Sequence, residues 1–121
     1  MIQLRSMLKP ADNSGAKILM VMGLSTKIGK KATIGQVVKC VVRGADSAGI
    51  VTDREKVNVV IVRTRKEVRR KDGTYVRFDD NAGVVIDKQG LPRGTRVLGP
   101  VAREVKEAGY TKIASLAREV V

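Results

Sequence analysis

Seven of the fifteen residues from Arg63 to Arg77 are arginine or lysine, opposed only by Glu67 and Asp72. Side chains of this kind hold phosphate. The guanidinium fork of arginine matches two oxygens of one phosphate, and lysine adds a mobile point charge. Arg63, Arg65, Lys66, Arg69, Arg70 and Lys71 are therefore candidate phosphate contacts, and Lys27, Lys30 and Lys31 form a second basic cluster. The whole chain leans the same way. Its 121 residues carry 24 basic and 12 acidic side chains, a net charge of +12. Such an excess opposes folding by self-repulsion and suggests a polyanionic partner, most simply nucleic acid. Charge serving solubility alone has no need to cluster.

Other chemistries find little to work with. The chain has no histidine, the commonest general base and metal ligand, and a single cysteine. A zinc cluster cannot be built from that inventory, and no internal disulfide is possible. Cys40 lies in VVKCVV, where a small buried thiol fits better than a nucleophile. Asp79 and Asp80 could approach a metal, but neighbouring strand residues point to opposite faces, and a turn or strand-start role suits them better. The segment from Gly23 to Lys31 is not a phosphate-binding loop of the nucleotide-hydrolase kind. Five residues separate its glycines instead of four, and Lys31 stands where serine or threonine is needed. The expectation is a protein with no catalytic role, no cofactor and no metal. No apolar run approaches the ~18–20 residues needed to span a bilayer. The start, MIQLRSML, lacks the long apolar region of a signal peptide. The expected location is the cytoplasm, or an organelle.

The elements that must position these cations are mostly strands. With 43% apolar residues, rich in valine, the chain can bury about two-thirds of its unfolded surface in one domain over 1–121. AKILMVMG (16–23), IGQVVKCVVRGA (34–45), KVNVVIV (56–62) and AGVVID (82–87) read as strands. Short strands at this spacing predict a mainly β fold closed into a small barrel over 1–90, leaving no free sheet edge. The rest, 91–121, changes character. LPRGTRVLGPV (91–101) is punctuated by proline and glycine. VAREVKEAG (101–109) and TKIASLAREVV (111–121) have helical apolar spacing, with Gly109 as a C-cap and Thr111 as an N-cap. Two short C-terminal helices should pack on the barrel, leaving Lys112 and Arg118 exposed.

The basic run continues a strand that is apolar up to Val62. From Arg63 neither alternate face reads as apolar, and burying unpaired charge is too costly. The strand must therefore leave the barrel. Asp72-Gly73 signals a hairpin with a type I′ turn. A protruding β-ribbon, basic on both faces, follows. The competing reading is a solvated basic edge strand that discourages aggregation. As to ligand, Tyr75, Phe78 and Tyr110 are too few to line a stacking groove for single strands. Arginine and lysine reading the shape and phosphates of folded RNA remain.

The most specific pattern is Val60-Ile61-Val62, nine residues, Asp72-Gly73, four residues, Phe78, two residues, Asn81, two residues, Val84-Val85. ADNSGA (11–16), VIVRT (60–64), RGTRVLGPVARE (93–104) and KIASLA (112–117) accompany it. With these stretches the chain resembles, over essentially its whole length, the family of ribosomal protein fourteen of the large subunit, in its bacterial or organellar form. It departs from the family at Val59, where a small residue is usual, at Arg118, where proline is usual, and in an acidic segment over 44–56.

The resemblance implies a five-stranded barrel, and a structural role in the large ribosomal subunit with direct binding to large-subunit rRNA. It implies intersubunit bridges to small-subunit rRNA and contact with large-subunit ribosomal protein nineteen. It also implies that a ribosome silencing factor docks on the same exposed face, with Thr95, Arg96, Lys112 and Ser115 on it by position. Arg93, Arg96 and Arg103 are assigned with them to a bridge or factor face. Without the resemblance, a free-standing basic regulator that binds nucleic acid stands as the alternative.

Overall fold

A computed structural model describes residues 2–121; Met1, with which the expected leaderless start begins, lies outside the described residues. Seven strands and two helices follow in order: β1 (Met7–Pro10), β2 (Ala16–Gly23), β3 (Val37–Ala45), β4 (Lys56–Arg63), β5 (Val68–Arg69), β6 (Tyr75–Val76), β7 (Ala82–Ile86), α1 (Arg103–Glu107) and α2 (Thr111–Leu116). Five strands close a barrel in the order β1-β2-β3-β4-β7, and β5 pairs with β6 apart from it.

Strand register places the core. Leu8 faces Leu19, which faces Val42. Val21 faces Cys40, which faces Val57, and Val38 faces Val59, which faces Val85. All of these are buried, so three layers of mostly β-branched side chains fill the barrel. β1 and β7 close it in parallel, Lys9 opposite Ala82 and Pro10 opposite Gly83. The unusual Val59 is accommodated here: its Cγ1 occupies the space a side chain at residue 83 would need, and residue 83 is glycine.

The alternate row of β4 and β7, Val60, Val62, Val84 and Ile86, points out of the barrel yet is buried as well. The C-terminal part covers this side: the Ala102 N–H donates to the Val62 carbonyl, and Ile86 pairs with Pro92. That double burial explains why VVIV (59–62) reads as continuously apolar.

The C-terminal helices are shorter than expected. Val101 and Ala102 are buried but extended, and Val101 pairs in parallel with Val120. α2 ends at Ala117, whose ψ of 142° returns the chain to an extended path. Thr111 lies inside α2, and Tyr110 precedes it without a side-chain cap. The α1 cap is Ala108, and Gly109 follows it. Val105 and Ile113 carry the buried contacts, while Lys112 and Arg118 are exposed as expected. No helix among the described residues is long and apolar enough to cross a membrane.

Candidate nucleic-acid interface

The basic run begins with a correction. Arg63, expected to reach for phosphate, is buried at 6% exposure. Its Nε and Nη2 donate to Asp80 Oδ1 and Oδ2 at 3.0 and 3.3 Å, and its Nη1 to the carbonyls of Leu98 and Pro100 at 2.9 and 3.1 Å. A guanidinium can be buried only with its charge paired and its donors used, and both conditions are met. Arg63 is thus a clamp between the end of β4, the approach to β7 and the segment before α1. Gly99 makes room for it: a side chain there would strike the guanidinium, and the backbone holds φ at +78°. Asp80 is this clamp's counter-ion, a role the sequence alone did not suggest.

Beyond Arg63 the chain does leave the barrel. β5 and β6 form a short hairpin with Val68 opposite Val76 and Arg69 opposite Tyr75. Its two faces differ, contrary to the expectation of charge on both. Val76 is buried and Val68 half-buried against the core, whereas Arg69 and Tyr75 are exposed. The turn differs as well. The Arg70 N–H donates to the Thr74 carbonyl at 2.8 Å and the Gly73 N–H to the Arg70 carbonyl at 3.0 Å. Three residues, Lys71 to Gly73, make the loop, and only Gly73 has positive φ, +88°. That is a type I turn with a glycine bulge rather than type I′. Asp72 Oδ1 accepts from the Thr74 hydroxyl at 2.6 Å and N–H at 3.0 Å, and the hydroxyl bond leads in holding its pKa below the usual carboxylate value.

Arg70 leans back on the C-terminal part. Its Nε is 3.1 Å and its Nη2 3.0 Å from Glu104 Oε1, and Nη2 also donates to the Val121 carbonyl at 2.6 Å. The hairpin is fastened to α1 by this contact, which leaves Arg70 half-buried. Arg65, Lys66, Arg69 and Lys71 remain exposed. Lys66 meets Glu67 at 3.1 Å, an exposed pair worth little. Glu67 has a lowered pKa, chiefly through its own backbone N–H and then through Lys66. The Arg65 backbone N–H is fixed by Asn81 Oδ1 at 2.8 Å, a positioning role that sequence reasoning missed. Lys27, Lys30 and Lys31 are all exposed on the loop between β2 and β3. A cleft of about 650 Å³ between the hairpin and α1 is lined by Arg69, Arg70, Lys71 and Arg103, with Asp72, Glu104 and Glu107.

The residues assigned to a bridge or factor face fall into separate places. Thr95 and Arg96 are exposed, and their N–H groups donate to Asn13 Oδ1 at 2.8 and 3.0 Å. Asn13 Nδ2 also donates to Thr95 Oγ1 at 2.7 Å, so the 11–16 loop shapes this site. Asp12 anchors that loop from inside, accepting from Ser14 and from the Val85 N–H. Arg93 instead meets Glu55 at 2.6 Å, and the hydrogen bond it donates is the leading cause of the lowered Glu55 pKa. Much of the acidity of 44–56 is therefore spent internally, since Asp53 also accepts from the Gly44 N–H at 2.8 Å. Arg103 belongs with the hairpin cleft. Lys112 and Ser115 are exposed on α2, where the Ser115 hydroxyl donates to the Lys112 carbonyl.

Among the described residues no three His, Cys, Asp or Glu side chains gather as a metal ion would require. Burial raises the Cys40 thiol to about 12. The surface offers a set of positioned cations. The profile of the family described as ribosomal protein L14p/L23e matches residues 1–121. The chain is also similar to the large ribosomal subunit protein uL14 of Petrotoga mobilis, 59% identical over 121 residues that cover 99% of each chain. With the closed five-stranded barrel, these matches show that the chain belongs to the L14p/L23e family of ribosomal proteins.

Proposed function

We propose that the protein is a structural, non-catalytic constituent of the large ribosomal subunit that binds large-subunit rRNA directly. The observation that carries this is the exposure of Arg65, Lys66, Arg69 and Lys71 on one short hairpin, with Lys27, Lys30 and Lys31 on a barrel loop. Cations presented on short loops braced by the barrel and hairpin can meet phosphates along a folded backbone, which suits the shape-based recognition of folded RNA. Arg63 and Arg70 act differently in this reading. They fix the hairpin, and their neighbours contact RNA.

Thr95, Arg96, Lys112 and Ser115 are proposed to face the small subunit, contributing to bridges with its rRNA and receiving a ribosome silencing factor. Protein nineteen of the large subunit is the proposed protein neighbour. Co-sedimentation tests the reading. The protein should remain at about one copy per large subunit at moderate salt, and spreading into lighter fractions would favour a free-standing regulator.

A further inference from the structure

The loop that carries Lys27 folds over the outer face of β3 and β4, and an open cleft of about 560 Å³ lies beneath it. Leu24, Ile28 and Val37 give it an apolar floor, and Lys27 and Lys39 stand at its rim. No acidic residue lines it. Two amides, Gln36 and Asn58, complete the wall. The Gln36 side-chain oxygen Oε1 accepts from the Thr33 N–H at 2.8 Å, which leaves its side-chain nitrogen free to donate. Asn58, outward on β4 between Lys39 and Ile86, is engaged by no described side chain.

We propose that this cleft receives one unpaired nucleobase of the bound RNA, with Lys27 and Lys39 on its flanking phosphates. The proposal rests on the RNA-binding reading above and adds a base-reading subsite to it. A nucleobase is flat and apolar on its faces and carries donors and acceptors on its edge, which matches an aliphatic floor beside two amides. The uniformly positive rim favours a nucleotide over a protein side chain, because the phosphates on either side of the base supply the complementary charge. Aliphatic floors replace the aromatic platforms this chain lacks.

Binding of the full chain to transcribed large-subunit rRNA, followed against salt, tests this. Val37→Trp fills the cleft from a half-exposed position, and Asn58→Leu removes an amide while keeping the same branching and number of heavy atoms. Each should weaken binding, Val37→Trp by about tenfold or more, with the salt slope unchanged because no phosphate contact is lost. Ultraviolet cross-linking should join the peptide spanning 23–39 to one unpaired nucleotide in the native chain and not in Val37→Trp. Lys27→Ala should instead lower the slope by about one unit. Wild-type affinity in both variants overturns the subsite, as does a loss seen only in the slope. Native affinity for RNA with lost retention on the intact subunit would assign the cleft to a protein. If Val37→Trp fails to melt cooperatively, Asn58→Leu decides. Failure of the native chain to bind the rRNA would overturn the RNA reading itself, a different result from failure of the variants alone.

Discussion

Arg63 and Asp80 meet through two parallel hydrogen bonds at the point where the barrel hands the chain to the basic hairpin. The most conspicuous basic segment thus begins with an arginine that serves the fold. Removing it strands Asp80 and leaves two backbone carbonyls without their donor. Arg63→Ala should cost about 3 kcal/mol, read as a lower urea midpoint, because a buried guanidinium that joins a carboxylate and two backbone carbonyls is lost together with its packing. Arg69→Ala should leave the midpoint within about 0.5 kcal/mol.

Gly73 and Gly99 separate two kinds of glycine requirement. Both have positive φ, but nothing lies within 4 Å of the side-chain position at residue 73. Gly73→Ala should therefore cost only the backbone term, about 1–2 kcal/mol. Gly99→Ala adds a collision with the Arg63 guanidinium and should cost distinctly more. In an Arg63→Ala background that extra cost should vanish, which a double-mutant cycle by chemical denaturation would show.

Much of this fold was legible in the sequence, for definite reasons. The Val-rich runs announce β3, β4 and β7: the second half of β4 and all of β7 are buried on both faces, while β3 alternates a buried row with exposed Lys39 and Arg43. β1 was not legible: MLKP is short, contains proline and has no alternation, and it is a strand because Leu8 packs on Leu19 and Lys9 pairs with Ala82. The helices were overdrawn at both ends, since Val101 and Val120 are apolar for the sake of a strand-like bridge. In the interface, charge alone could not separate Arg63 from Arg65. Their difference lies in Asp80 and in carbonyls 35 and 37 positions downstream of Arg63, contacts with no local signature.

The Glu55–Arg93 pair should make a small, pH-dependent contribution to stability. The Arg93 hydrogen bond holds the Glu55 carboxyl below its ordinary pKa. A depressed folded-state value means the stabilisation is present above roughly pH 5 and is lost as pH falls through the folded value. Both side chains are partly exposed, so the loss should be at most about 1 kcal/mol. Glu55→Gln should accordingly lower the midpoint at pH 7, and its difference from the native chain should shrink as pH falls through the folded value.

Burial raises the Cys40 thiol to about 12, so almost none of it is thiolate at pH 8. Alkylation by iodoacetamide should be negligible in the native protein and rapid in 6 M guanidinium, followed by mass. Fast native labelling would mean that the β2-β3-β4 side of the barrel opens readily.

The division of labour between fold-holding and RNA-facing arginines is tested most directly by the salt dependence of binding to large-subunit rRNA. Arg69 and Lys71 are exposed on the hairpin and make no ion pair among the described residues. The double variant Arg69→Ala/Lys71→Ala should keep the native urea midpoint while the slope of log affinity against log salt falls by about two units. An unchanged slope in a folded double variant would contradict the claim that these cations contact phosphate.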